Sequence, residues 1–207
     1  MNRENYNAET LASELLKEIG TDSFNMIAQV SRLIARGRPV AVQEVAESLH
    51  LKPEEAKGFL KRFGGEFDEA GGLVGLGLTM VPTNHSFQVD GHGLYTWCAG
   101  DTLIFPMILG KNAKVMSKDP VSGDGVVLTT TPQGVEAVEP KTTVLSWPAH
   151  PNGDDVRRAF CDVTHFFTSA ETAEQYASKT KGVIVLRPDE VRDIFRIIAG
   201  KTKIIPQ

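Results

Sequence analysis

Cysteine is the scarcest chemistry-bearing residue in this chain of 207 residues: there are two, Cys98 and Cys161. Close cysteine pairs of the Cys-x2-Cys kind, which structural zinc sites favour, are absent. Long hydrophobic runs are lacking too. None approaches the roughly 18 apolar residues of a membrane span, so no transmembrane helix is expected. The N-terminal stretch Met1-Asn2-Arg3-Glu4-Asn5-Tyr6-Asn7-Ala8-Glu9-Thr10 lacks the apolar core of a signal peptide. The expected compartment is therefore the cytoplasm, where thiols stay reduced and a structural disulfide is not expected. A strong charge of either sign is missing: the formal net charge is -4, which gives no long-range pull on nucleic acid or anionic membrane. No GxGxxG or GxxxxGK phosphate loop is present, so no organic cofactor is expected.

What is present has the ordinary texture of a folded domain, with 41% hydrophobic and 23% charged residues. The first third reads as short helices. Leu11, Leu15, Leu16 and Ile19 form one helical stripe, and a second amphipathic run from Phe24 to Ala35 stops at Gly37. A third helix fits Val42 to Leu49, and a fourth starts at Pro53 and ends near Phe63. Glu66 to Leu78 reads as a hairpin turning at Ala70-Gly71-Gly72. Helices followed by a hairpin give the order of a winged-helix unit. From about residue 83 the texture changes to short β-type segments: Ser86–Val89, Ala113–Met116, Val126–Thr131, Val135–Val138, Thr143–Trp147 and Val183–Leu186. Ala149-His150-Pro151-Asn152-Gly153 reads as a loop. Asp154 or Asp155 is positioned to cap a short helix through Phe160, with a strand opening at Cys161 as the alternative. Further helices are expected from Thr168 to about Ser178 and from Pro188 to Ile198. The predicted fold is α+β: a winged-helix-like helical domain over residues 1–82, then a mixed, largely antiparallel β domain with flanking helices over 83–207.

The candidate chemistry centres on the thiols. The fourth helix carries Lys57, Lys61 and Arg62 against Glu54 and Glu55, with Gly58, Phe59 and Leu60 in its middle. That is a poor face for reading DNA, and nucleic-acid binding is not expected. Cys161 and His165 have a Cys-x3-His spacing that zinc accepts, with Cys98 and Asp101 as further donors. His165 sits before Phe166-Phe167, however, where a hydrogen-bonded histidine is the plainer reading. Thiolate acyl transfer needs a nearby base. None of His50, His85, His92, His150 and His165 lies in a recognisable nucleophile motif. Used together, two thiols from distant segments suit a soft, thiophilic metal, and Asp101 adds a proton donor or acceptor beside it.

The stretch Leu94-Tyr95-Thr96-Trp97-Cys98-Ala99-Gly100-Asp101-Thr102-Leu103-Ile104-Phe105-Pro106 strongly resembles the central motif of the organomercurial (alkylmercury) lyases. The resemblance extends to Ala35-Arg36-Gly37-Arg38-Pro39-Val40, Gly75-Leu76-Gly77-Leu78-Thr79 and Val135-Glu136-Ala137-Val138-Glu139-Pro140. It also takes in Val156-Arg157, Phe160-Cys161 and His165-Phe166-Phe167, covering most of residues 24–180. It implies a winged-helix-like N-terminal domain, a mixed β C-terminal domain, and protonolysis of carbon–mercury bonds to a hydrocarbon and Hg(II). Carried over by position, it implies Cys98 and Cys161 as mercury-binding thiolates and Asp101 as the proton handler. Where some relatives have a further cysteine after the second catalytic one, this chain has Asp162.

Under that resemblance, two thiolates push electron density onto mercury and a nearby carboxylic acid protonates the carbon as the bond breaks. Arg157 and Arg158 are candidates for easing thiol deprotonation, with a solubility role as the alternative for Arg158. Asp101 needs either a proton from an incoming thiol or a pKa raised by burial. Trp97 and Phe160, each beside a cysteine, either wall the pocket for the organic group or pack into the core. No cofactor is implied; Hg(II) is the bound product, and small thiols are exchange reagents. The implied partners are an organomercurial and, as Hg(II) acceptor, a mercuric reductase with a cysteine pair or low-molecular-weight thiols. The competing reading is a non-enzymatic thiol-based metal sensor or carrier on a winged-helix scaffold, which needs the thiols but not Asp101.

Overall fold

The structure, a computed structural model, describes residues 7–151 and 155–205. Asn152, Gly153, Asp154 and residues 1–6 lie outside the described residues, so the expectations for them are not taken further. Helix α1 (Ala8–Ile19) starts at Asn7, whose side-chain oxygen accepts the Thr10 N–H at 2.8 Å, and buries Leu11, Leu15 and Ile19. Gly20, at φ 85°, turns the chain into α2 (Thr21–Ile34). Helix α3 (Val42–Leu49) and α4 (Pro53–Arg62) follow, the latter with proline in its first turn and Glu55 accepting the Lys52 N–H. These four helices match the sequence expectation closely.

The strands β1 (Glu66–Phe67), β2 (Leu73–Leu76), β3 (Leu78–Thr79), β4 (His85–Val89) and β5 (His92–Thr96) come next. They combine with β6 (Ala113–Lys118), β7 (Gly125–Thr130) and β8 (Val135–Glu139) in one antiparallel sheet ordered β1-β2-β3-β5-β4-β6-β7-β8. The hairpin that closes the helical part is thus hydrogen-bonded into the sheet of the second part, through Leu78 opposite Thr96 and Thr79 opposite Tyr95. A second antiparallel sheet, ordered β10-β9-β11, is built from β9 (Val144–Pro148), β10 (Phe166–Phe167) and β11 (Val183–Leu186).

The main departure from the sequence reading is α5 (Ala99–Leu109), a helix inside a region expected to hold short β segments. Leu103, Ile104, Phe105, Met107 and Ile108 are all buried, so the helix has no polar face to reveal its period. Pro106 lies inside it and supplies no N–H to the Thr102 carbonyl. The Thr130 hydroxyl donates to that carbonyl instead, at 3.4 Å. Arg32 on α2 donates to the Ile108 carbonyl at 3.1 Å. The chain is completed by α6 (Val156–Ala159), α7 (Ala170–Lys179) and α8 (Pro188–Lys201). From α8, the buried Arg192 donates to the Leu103 carbonyl at 2.7 Å. Helix α5 is therefore fixed from the sheet and from two neighbouring helices, and its N-terminal turn is a rigid platform. Among the described residues no helix is long and apolar enough to cross a membrane.

Candidate active site

Strand β5 delivers the chain through Trp97 to Cys98, which has extended backbone (φ -145°, ψ 171°) and caps α5. Its Sγ accepts the Asp101 N–H at 3.4 Å, in the manner of an N-cap side chain. The i, i+3 spacing of the motif thus puts the Cys98 thiol and the Asp101 side chain on one helical turn. Cys161 arrives from the far side. Asp155 caps α6 by accepting the Arg158 N–H, and the chain then tightens into a 3-10 turn over Cys161–Val163. That turn is tied to the start of α5 by the Ala99 N–H, which donates to the Thr164 carbonyl at 3.0 Å. Thr164 in turn donates its hydroxyl to the Phe160 carbonyl at 2.7 Å. As a result Cys161 Sγ lies 3.9 Å from Asp101 Oδ2, and one ligand atom from each of Cys98, Asp101 and Cys161 falls within 4.8 Å of the others. Both cysteines are free thiols and buried, while Asp101 is half-buried.

The carboxyl and Cys161 face an apolar cavity of about 80 Å³, walled in part by Trp97, Phe105 and Phe160, with Leu15 and Ile19 from α1. Trp97 and Phe160 both line it, and both also belong to the packing of the hydrophobic core, Phe160 as a buried member and Trp97 packed against it. Gly77 lets the β2–β3 turn come this close. It has φ 76°, and a Cβ there would sit 3.0 Å from the Phe105 ring. Its carbonyl accepts the Trp97 N–H at 2.8 Å.

Burial dominates the protonation chemistry. It pushes the Cys98 thiol up, with the Asp101 charge adding to it, while a hydrogen bond with Cys161 pulls the other way. Cys161 is pushed well above the usual thiol value by its hydrogen bond to Cys98 and by burial; the Arg157 charge opposes this. The helping role expected of Arg157 is therefore present but outweighed, and the thiols at rest hold their protons at neutral pH. Burial also raises the Asp101 carboxyl, to about 6, against hydrogen bonds from Cys98 and the positive charge of Arg157. Arg158 is exposed on α6, in keeping with a solubility role. Asp162 is exposed too, and its carbonyl accepts the His165 Nε2–H at 3.0 Å. His165 lies outside the three-residue cluster, its Nδ1 buried without a hydrogen-bond partner.

Sequence reasoning missed Glu66. Its carboxylate accepts the Thr79 hydroxyl at 2.6 Å and the Trp97 indole N–H at 3.1 Å. It also pairs with Arg157 at 2.7 Å. The Arg157 guanidinium lies over the Trp97 ring, 4.4 Å from its centroid. These partners are 13, 31 and 91 residues away along the chain, and no local pattern joins them.

Residues 78–199 match the family model for alkylmercury lyase. An alkylmercury lyase of Pseudomonas putida is 37% identical over 171 residues, which is 82% of this chain and 81% of that one. One of Streptomyces lividans is 41% identical over 156 residues, 75% of this chain and 73% of the relative. Among solved structures, the mercury-bound form of MerB2 superposes with a TM-score of 0.75 at 19% identity, covering 94% of this chain and 98% of the other. It shares the mixed architecture of helices and antiparallel sheet. The chain belongs to the alkylmercury lyase family.

Proposed function

We propose that this protein cleaves the carbon–mercury bond of organomercurials by protonolysis, with Cys98 and Cys161 as the mercury-binding thiolates and Asp101 as the proton carrier. The observation that carries the reading is the meeting of two buried free thiols and one carboxyl within 4.8 Å, with Asp101 and Cys161 facing an apolar cavity. A passive thiol carrier has no need of the third group.

The steps balance without an oxidant. A substrate R–Hg–X exchanges X for one cysteine sulfur, and one thiol proton leaves with X. The second thiol ligates mercury and passes its proton to the Asp101 carboxylate, which at neutral pH is chiefly ionised with a pKa of about 6. Two sulfurs now load electron density onto mercury and make the attached carbon basic. Protonated Asp101 gives its proton to that carbon, the carbon–mercury electron pair becomes the new C–H bond, and Hg(II) remains on both sulfurs. An ordinary carboxyl, with a pKa of about 3.9, would be a poorer proton store at neutral pH. Trp97 and Phe160 wall the space for R. In this reading the thiols and the carboxyl supply every group the reaction needs, and no organic cofactor is called for.

Hg(II) held by two thiolates leaves by exchange with another dithiol or with small thiols, and a mercuric reductase is the fitting acceptor. The expected setting is the reducing cytoplasm. Residues 1–82 are read as a winged-helix-like domain stitched by its hairpin to a catalytic domain over 83–207. This division rests on the order of α1 to α4 followed by β1 and β2.

The test is release of benzene from phenylmercury in the presence of excess small thiol. Wild-type protein is expected to turn over repeatedly, and Cys98→Ser and Cys161→Ser to lose at least about a hundredfold in rate, in line with loss of an essential catalytic group. One equivalent of phenylmercury bound by reduced wild-type protein, with no benzene formed, would identify a carrier instead.

A further inference from the structure

Glu66 occupies an unusual position for a surface hairpin residue. It sits opposite Gly75 in the β1–β2 pairing, and its side chain crosses the space where a Gly75 side chain would stand: a Cβ there would fall 2.1 Å from Glu66 Oε2. On the other side Thr79 donates its hydroxyl to the same oxygen. Gly75 and Thr79 thus frame one carboxylate, as Gly77 in the same turn frames Trp97 and Phe105. The carboxylate is largely buried, with 18% of its side chain exposed, and its two oxygens hold two different groups. Oε2 fixes the indole N–H of Trp97, and Oε1 fixes the guanidinium of Arg157. Those two groups are themselves stacked, at 4.4 Å. Trp97 lines the cavity, and the Arg157 guanidinium, its side chain 36% exposed, lies over the Trp97 ring.

We propose that Glu66 is a positioning residue for the reaction: by gripping Trp97 and Arg157 together it holds the aromatic wall of the organic-group pocket over Cys161 and Asp101. The inference rests on the protonolysis reading for what the pocket does, and on the hydrogen-bond geometry alone for who holds its wall. An indole whose single N–H is bonded to a carboxylate, and whose face is covered by a guanidinium bonded to the same carboxylate, has one favoured orientation. Loss of the whole side chain frees both groups at once. Arg157 lies in α6, about one turn before Cys161, so its anchorage also bears on the segment that presents the second thiol.

Three variants separate positioning from bulk stability. Glu66→Ala removes every contact. Gly75→Ala keeps the carboxylate but displaces it. Glu66→Gln keeps an oxygen for Trp97 and Thr79 while giving up the charge pair with Arg157. For phenylmercury turnover, Glu66→Ala and Gly75→Ala are each expected to raise KM about tenfold with a smaller fall in kcat, as befits loss of an anchored cation–π wall. Glu66→Gln is expected to recover most of that loss. Tryptophan emission provides a readout independent of turnover. Trp147 is buried and should report no change, so a red shift in both Ala variants, absent in Glu66→Gln, marks release of Trp97. Wild-type KM and wild-type emission in folded Glu66→Ala would overturn the proposal, and so would a lowered Tm with both kinetic constants unchanged. Wild-type protein that binds phenylmercury without releasing benzene would instead defeat the protonolysis reading, leaving the emission shift to decide the role of Glu66.

Discussion

At the residue scale the site is defined by how three ionisable groups share one small volume. Two thiols whose pKa values are raised, Cys98 by burial and Cys161 by its hydrogen bond to Cys98 and by burial, are neutral at rest, which lets them be buried with little cost. Asp101 carries the opposite burden: with its pKa raised to about 6, it is an ionised group in a setting that disfavours charge. In the proposed reaction the carboxylate accepts a thiol proton. Benzene release at saturating thiol is therefore expected to fall as pH drops through about 6, and a pH profile that is flat from 5 to 7 would contradict that role. The same shift affects stability. A raised carboxyl costs the folded state stability above pH 6, and protonation removes that cost as pH falls below 6 towards the unfolded value of about 3.9. Asp101→Asn is expected to unfold at a higher temperature than wild type at pH 8, by the equivalent of roughly 2 kcal/mol, with the difference shrinking at pH 5. Differential scanning calorimetry at the two pH values measures this.

Among the elements, α5 matters most, because its first turn carries Cys98 and Asp101 and its remainder is buried on all sides. It is pinned through its backbone rather than only by packing. Arg192, buried and with its pKa lowered to about 10 by that burial, donates to the carbonyls of Leu103 and Pro132 at 2.7 Å each. Arg192→Met would remove the guanidinium donor from two carbonyls, that of Leu103 inside α5 and that of the half-buried Pro132. A loss of about 3 kcal/mol is expected in urea unfolding, while a change below about 0.5 kcal/mol would mean the carbonyls find other partners. The helices α1 to α4 were legible in the sequence because each has a polar face and an apolar stripe, and α4 announces itself with proline and acidic residues in its first turn. Helix α5 was not legible as a helix: an all-round apolar run with an internal proline gives no 3.6-residue period. The site behaved differently. Cys98 and Asp101 were readable as neighbours from their spacing, and Cys161 joined them through the family resemblance of its segment. Glu66 was invisible, because only the sheet register and the path of α6 bring it to Trp97 and Arg157.

Taken as a whole molecule, the chain folds so that its distant parts meet around one small cavity. Helix α1 contributes Leu15 and Ile19, α5 contributes Asp101, and the segment after α6 contributes Cys161. The first and last helices are joined across the sequence, with Lys201 on α8 pairing with Glu9 on α1 at 3.0 Å. The cavity they form is apolar, a setting that strengthens the electrostatic interactions of the groups facing it. In the proposed reaction Asp101 carries the proton while the thiols carry the metal. The most direct test of that assignment is a single-turnover experiment on Asp101→Asn with one equivalent of phenylmercury, following mercury bound and benzene released together. The account expects stoichiometric mercury binding at wild-type level and benzene release slowed by at least about a hundredfold. Benzene released at the wild-type rate from Asp101→Asn would contradict it.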